Sequence, residues 1–168
     1  MLKSESYLFE ILQKYSKFGE WKFFEILDNS GKSLPQAKNY GNGFISYPDF
    51  EFYSDKKLML LVEVKGYDGF FDNQDSMVAM KLRCYKSYLK VRKQEDVDVR
   101  ICFVINFPKE TVIFWDSIDN IVQYPKFVQR RNYDEYDFNK RMKISKSEDY
   151  IYWNIENFRT DEENIANI

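Results

Sequence analysis

Tyr47-Pro48-Asp49-Phe50, followed by Leu58-Met59-Leu60-Leu61-Val62-Glu63-Val64-Lys65-Gly66, is the stretch whose reading decides the fold. The second piece reads as a buried strand: an apolar run, then two charges flanking a valine. Side chains alternate along a strand, so Glu63 and Lys65 point to one face. Burying a carboxylate and an ammonium at the end of an apolar strand is costly unless they pair or are used. Ser54-Asp55-Lys56-Lys57 has the composition of a hairpin turn, which would lay Asp49 towards the far end of the second strand. With the right register, two carboxylates and one lysine meet in one small volume.

Working outwards, residues 4–18 carry Leu8, Ile11, Leu12, Tyr15 and Phe18 at helical spacing, with Ser4 as N-cap and Gly19 as the stop. Glu5 lies at the edge of the apolar stripe and Glu10 nearly opposite it. Residues 21–27 read as a strand and 32–46 as a loop broken by Pro35, Gly41 and Gly43. Strands are expected over 44–53 and 58–65, with Gly66-Tyr67-Asp68-Gly69 breaking the second. Residues 74–93 contain no proline or glycine and read as one long helix, apolar through Met77, Val78, Leu82, Tyr85, Tyr88 and Leu89. Gln74, Lys81 and Tyr85 then share a helix face. Strands follow at 99–107 and 111–115, and Asp116-Ser117 caps a short helix at 118–123. Beyond Tyr124 the pattern weakens, with a last strand or docked segment over 150–158. The reading is one α/β unit, ordered α-β-β-β-α-β-β: a core over 1–120, an extension over 121–158 packed on it, and a frayed tail over 159–168.

Composition narrows the chemistry. The 168-residue chain has no histidine and two cysteines. Histidine-dependent triads and His-ligated zinc are therefore excluded, and two thiolates cannot close a zinc site. Cys84 and Cys102 read as a free, buried pair, with a disulfide between them the alternative, and the implied compartment is reducing. Catalysis must rest on carboxylates, lysine, tyrosine and a hard oxygen-loving cation. The net charge of −2 argues against indiscriminate coating of nucleic acid. No apolar run is long enough to span a membrane and the N-terminus lacks a signal-peptide core, so the expectation is a cytoplasmic protein.

Pro48-Asp49 followed by Glu63-Val64-Lys65, in that order of elements, resembles the PD-(D/E)XK nuclease superfamily over about residues 4–107. The resemblance implies a restriction-endonuclease-like core, a mixed central sheet flanked by helices. It implies that Asp49, Glu63 and the Val64 carbonyl hold Mg²⁺ or Mn²⁺ and that Lys65 serves the attacking water. Glu5 corresponds to the first-helix glutamate that often completes the metal shell in that family; Glu10 is the alternative, and a solvated helix glutamate the plain reading. Gln74, Lys81 and Tyr85 resemble side chains that some branches carry near the site, although Lys at position 81 breaks the usual Gln-x-x-x-Tyr spacing. A lysine snorkelling beside core tyrosines is the competing reading. The activity implied is phosphodiester hydrolysis in nucleic acid, more often DNA, with a homodimer open. Arg83 and Lys86 on the helix, and Arg130 and Arg131 among the aromatics of 126–146, are candidate backbone contacts; otherwise they are solvated charges.

Overall fold

The computed structural model describes residues 1–70 and 76–168. Helix α1 (Lys3–Tyr15) leads into β1 (Glu20–Phe23), then three small pieces, β2 (Ile26–Leu27), β3 (Ser33–Leu34) and β4 (Ala37–Asn39). β5 (Phe44–Ser46), β6 (Phe50–Ser54) and β7 (Lys57–Asp68) follow. Then come β8 (Met77–Lys81), α2 (Leu82–Glu95), β9 (Asp98–Asn106), β10 (Thr111–Ser117) and α3 (Ile118–Ile121). A long hairpin of β11 (Lys126–Asp137) and β12 (Met142–Asn154) closes the sequence of strands. The fold is mixed α/β.

The central sheet has the order β1-β6-β7-β9-β10. β6–β7 is an antiparallel hairpin, whereas β7 and β9 run parallel and are joined through β8 and α2. Parallel neighbours need such a crossover because the chain must return to the same end of the sheet. Each face of the sheet is buried. Val62, Val64, Phe50 and Val104 face α1 through Leu8, Ile11 and Leu12. Leu61, Ile101, Phe103 and Ile105 face α2, α3 and the smaller sheet β11-β12-β8. This double burial explains why β7 and β9 read as nearly continuous apolar runs.

Several expectations are corrected. α1 ends at Tyr15, not at residue 18, because Ser16 Oγ donates to the Leu12 carbonyl and accepts from Trp21 Nε1; Phe18 is exposed. Its N-cap is Leu2, not Ser4. The 32–46 loop holds short hairpins instead. β7 is not broken at Gly66 but pairs with β9 as far as Asp68. Gly66 serves close approach, not a turn: a Cβ there would lie 2.5 Å from the Cβ and Oγ of Ser4 on α1.

The largest correction concerns 74–93. Met77–Lys81 forms strand β8, paired with Tyr150–Asn154 of β12, and the helix begins only at Leu82. A partner strand far along the chain overrides local helix propensity. The expected cap at Ser117 is present: its side chain accepts from the Asp119 N–H. The tail expected to fray is docked instead. Arg159 bridges Trp115, and Ile165 is fully buried beside α1. Its lone apolar pair, Ile165-Ala166, fills space between α1 and the sheet, which a composition reading cannot see. No helix among the described residues is long and apolar enough to cross a membrane.

Two stability outcomes follow. Ile165→Ala should cost ~2–5 kcal/mol in urea unfolding, as for a buried aliphatic side chain, where a frayed tail would show no change. Gly66→Ala should cost ~1–3 kcal/mol by overpacking, part of it recovered by adding Ser4→Gly, as measured by the unfolding midpoints of the three chains.

Candidate active site

The site is built just ahead of the start of β6, where β7 runs on past its pairing with that strand. Pro48 has no N–H and biases Tyr47 to extended backbone. The backbone there is held by Tyr47 N–H donating to Gln36 and by Phe24 N–H donating to the Asp49 carbonyl. β6 pairs with β7 only from Phe50, which lies opposite Val62. One step further the register sets Asp49 opposite Glu63. Asp49 Oδ2 there accepts from the Val64 N–H at 2.8 Å, replacing the missing ladder bond. A strand residue's N–H and C=O face the same side, so the Val64 carbonyl also looks past the end of β6.

Residue parity decides which face carries the chemistry. Val62 and Val64 point to α1, so Glu63 and Lys65 point to the α2 side. Phe50 and Phe52 likewise face α1, which turns Asp49 to the same side as Glu63. Asp49 and Glu63 are both buried. Glu63 Oε1 pairs with Lys65 Nζ at 2.7 Å, and the lysine side chain keeps 30% of its surface open. Glu63 Oε2 is buried with no hydrogen-bond partner. An orphaned buried carboxylate oxygen is expensive, and a shared proton or a cation would satisfy it.

The electrostatics agree. Burial first, and then the Glu63 charge, push the Asp49 carboxyl well above the usual carboxylate range; the Val64 N–H and Lys65 oppose this only in part. Burial pushes Lys65 down, but the charge and hydrogen bond of Glu63 outweigh it and hold Lys65 above an ordinary lysine. Tyr88, from α2, is raised by burial and then by the Glu63 charge. With Asp49 ionised, two carboxylates against one ammonium leave a buried negative charge.

Lys65 opens into a cleft of about 370 Å³ lined also by Tyr47, Tyr67, Lys81, Arg83, Cys84 and Tyr150. A second hollow of about 380 Å³ shares Lys81 and Tyr150 and runs along Arg131 and Tyr133 on the hairpin. Together they make a groove with cationic and phenolic walls. Glu148 offsets part of that charge: Arg83 Nε lies 2.7 Å and Lys81 Nζ 3.9 Å from its Oε1.

Other candidates land differently. Glu5 does not join the carboxylates. Its Oε2 accepts from the Leu2 N–H at 2.6 Å, and its helix covers the opposite face of the sheet. Glu10 is exposed on the same helix. Gln74 lies outside the described residues. Lys81 is the last residue of β8 and the cap of α2, so it shares no helix face with Tyr85. Tyr85 is core, edge-on to Trp153 at 5.3 Å. Lys86 is exposed on α2. Arg130 is spent on Asp149 in a two-pronged pair at 2.9 and 3.2 Å, while Arg131 lies 5.5 Å over the Tyr150 ring. The sequence reading missed Tyr47, Tyr67, Tyr88 and Tyr150 as cleft walls. Tyr47 was within reach, since it shares parity with Asp49; Tyr67 shares parity with Lys65 but was lost to the break expected at Gly66, and Tyr88 and Tyr150 depend on the packing of α2 and β12.

Among the described residues no group of three or more acidic, histidine or cysteine side chains converges. A cation here would rest on Asp49, Glu63 and the Val64 carbonyl. That set suits Mg²⁺ or Mn²⁺, since Mg²⁺ commonly takes one or two carboxylates and completes its shell with water and phosphate. No family model matches this chain, and no curated protein is found to be similar to it.

A raised Asp49 pKa means the folded chain holds a proton that the unfolded chain releases near the usual value of 3.8. Stability from this group is therefore full below that pH and is lost as pH rises through the folded value. Asp49→Asn keeps an acceptor for Val64 N–H and adds a donor towards Glu63. In chelator it should unfold at higher urea than the parent at about pH 8, with the gap closing towards about pH 4. Unfolding midpoints of both chains across that range check it; a gap independent of pH would exclude Asp49 as the titrating group.

Proposed function

We propose that the protein is a metal-dependent nuclease that hydrolyses phosphodiester bonds in nucleic acid, DNA in particular, on a restriction-endonuclease-like core. The convergence of Asp49, Glu63 and Lys65 on one sheet face at the mouth of a cationic cleft carries this reading, and the orphaned Glu63 oxygen strengthens it. The element order supports it too: a helix, three antiparallel strands, then a crossover to a parallel strand, with Asp49 at the entry to the second of these strands and Glu63 in the middle of the third. The choice of DNA rests on the family resemblance.

In this reading Asp49, Glu63 and the Val64 carbonyl hold Mg²⁺ or Mn²⁺. Such an ion neutralises phosphate charge, lowers the pKa of bound water and stabilises the leaving oxygen. Lys65 carries its proton while paired with Glu63, so its part is to donate. It holds the attacking water or a phosphate oxygen in line, and it takes up a proton only if that pairing loosens and burial lowers its pKa. The buried walls of Tyr47 and Tyr88 thin the water around the acids, which strengthens each charge interaction there. Lys81, Arg83 and Arg131 line the path that a phosphate backbone would follow.

One observation favours a second reading. The closed Glu63–Lys65 pair already balances one carboxylate, as in a module that binds nucleic acid without cutting it. Incubation of labelled single-stranded, duplex and branched DNA and RNA with Mg²⁺, Mn²⁺ or chelator separates the two. Cleavage should need the metal, and Glu63→Gln and Lys65→Met should each slow it at least ~100-fold, the scale of one lost preorganised electrostatic contact. Cleavage unchanged in both variants would remove the assignment, and metal-independent binding without cleavage would favour the module.

A further inference from the structure

The β11–β12 hairpin outgrows the sheet that supports it. β8 pairs with β12 only over Tyr150–Asn154, so from Arg130–Asp149 to the turn the hairpin is a two-stranded arm. A two-stranded ribbon is marginal in water without a third strand or a packed face. β11 is also an edge strand, 12 residues long and exposed along nearly its whole length. Long edges are normally blunted by charged side chains, proline, bulges or shortness, and on β11 only charge is available for that. β11 contains no proline, and its register with β12 is unbroken from Lys126 to Asp137. Phe127, Val128, Tyr133 and Tyr136 each leave more than 40% of their surface in solvent.

The charges on this edge are sorted. The first half carries Lys126, Arg130 and Arg131; the second carries Asp134, Glu135 and Asp137. β12 has the reverse order, with Lys143 and Lys146 near the turn and Glu148 and Asp149 near the base. Cross-strand pairing within the arm uses this pattern once, through Arg130–Asp149 and Lys146–Glu135 at 2.6 Å. A second β11 laid antiparallel along the first uses it again.

Symmetry restricts how that can happen. Residues directly opposite in an antiparallel pair share a sheet face, so a strand paired with its own copy places residues of the same parity opposite each other. Two such registers overlap β11 most fully. Centred on Arg131, the strand opposes like charges. Centred on Asn132, it sets Arg130 opposite Asp134, Gln129 opposite Glu135, Arg131 opposite Tyr133 and Val128 opposite Tyr136, with no like charges facing. Across the resulting four-stranded sheet, acidic and basic blocks alternate at every level.

We infer that β11 is a dimer interface: two copies of this chain pair antiparallel along β11, with the two-fold axis at Asn132, to form a continuous four-stranded sheet. The interface is isologous, so each pair occurs twice. It is independent of the chemistry proposed at Lys65.

Analytical ultracentrifugation of the full chain tests it. The wild type should sediment at twice its 20.4 kDa mass. Arg130→Glu sets two acids opposite each other and Asp134→Arg two cations, so each should weaken the dimer at least ~10-fold, about the 1.4 kcal/mol expected for reversing such pairs. Mixing the two variants, or combining them in one chain, restores opposite charge at both positions and should restore the dimer. Arg130→Glu also loses its Asp149 partner, so a second readout avoids the charges. Asn132→Cys should give a covalent dimer on mild oxidation, reversed by thiol. A wild type that stays monomeric at all concentrations reached, a dimer indifferent to the reversals, or an Asn132→Cys dimer that fails to cross-link would overturn the inference.

Discussion

One hydrogen bond organises the candidate site: Asp49 Oδ2 accepting from the Val64 N–H just ahead of the start of β6. β7 runs on beside β9 after losing its other neighbour, so a backbone donor in the buried centre of the sheet lacks a strand partner. A carboxylate supplies the missing acceptor. This places a charge where burial disfavours it, next to Glu63, whose second oxygen is orphaned. Once Asp49 ionises, completing a ladder with an acid leaves the sheet with negative charge to be balanced, and Lys65 balances only part of it.

The two faces of the sheet divide the labour. The α1 face is purely a packing surface, where Gly66 lets Ser4 approach and Ile165 of the C-terminal segment fills the remaining gap. The α2 face carries both core residues and the polar site, which sits on the central strand β7 beyond the start of β6, under the phenols of Tyr47 and Tyr88. The hairpin arm extends the wall of the cleft through Arg131 and Tyr133. Interactions that make the arm's own charge pattern self-consistent thus border the surface that a phosphodiester backbone would cross in the proposed function.

Asp49, Glu63 and Lys65 were legible because a period of two needs only local sequence, and a turn at 54–57 forces β6 to lie along β7. Cys84 and Cys102 are free thiols as expected, but only Cys102 is buried; Cys84 is half-buried beside the cleft. Glu5 was misjudged because helical periodicity shows which side of α1 is buried but not which face of the sheet buries it. For Tyr85 the competing reading, a core tyrosine, is the one the structure shows. Its spacing from Lys81 has meaning only if both are helical, and Lys81 is the end of a strand. The tail was misjudged because a short apolar pair in a polar segment docks only if a matching gap exists.

The chain by itself determined the strands β6, β7, β9 and β10, their alternation, and the acids and lysine that follow the apolar run of β7, since these follow from steric periodicity and the cost of burying charge. Tertiary structure alone decided that Met77–Lys81 is a strand, that α1 lies across the face away from Glu63, and that residues 126–154 form a projecting ribbon. Each of those outcomes depends on a partner distant in sequence. Pairing a backbone edge or filling a cavity with such a partner outweighs the few tenths of a kcal/mol per residue by which local propensities differ.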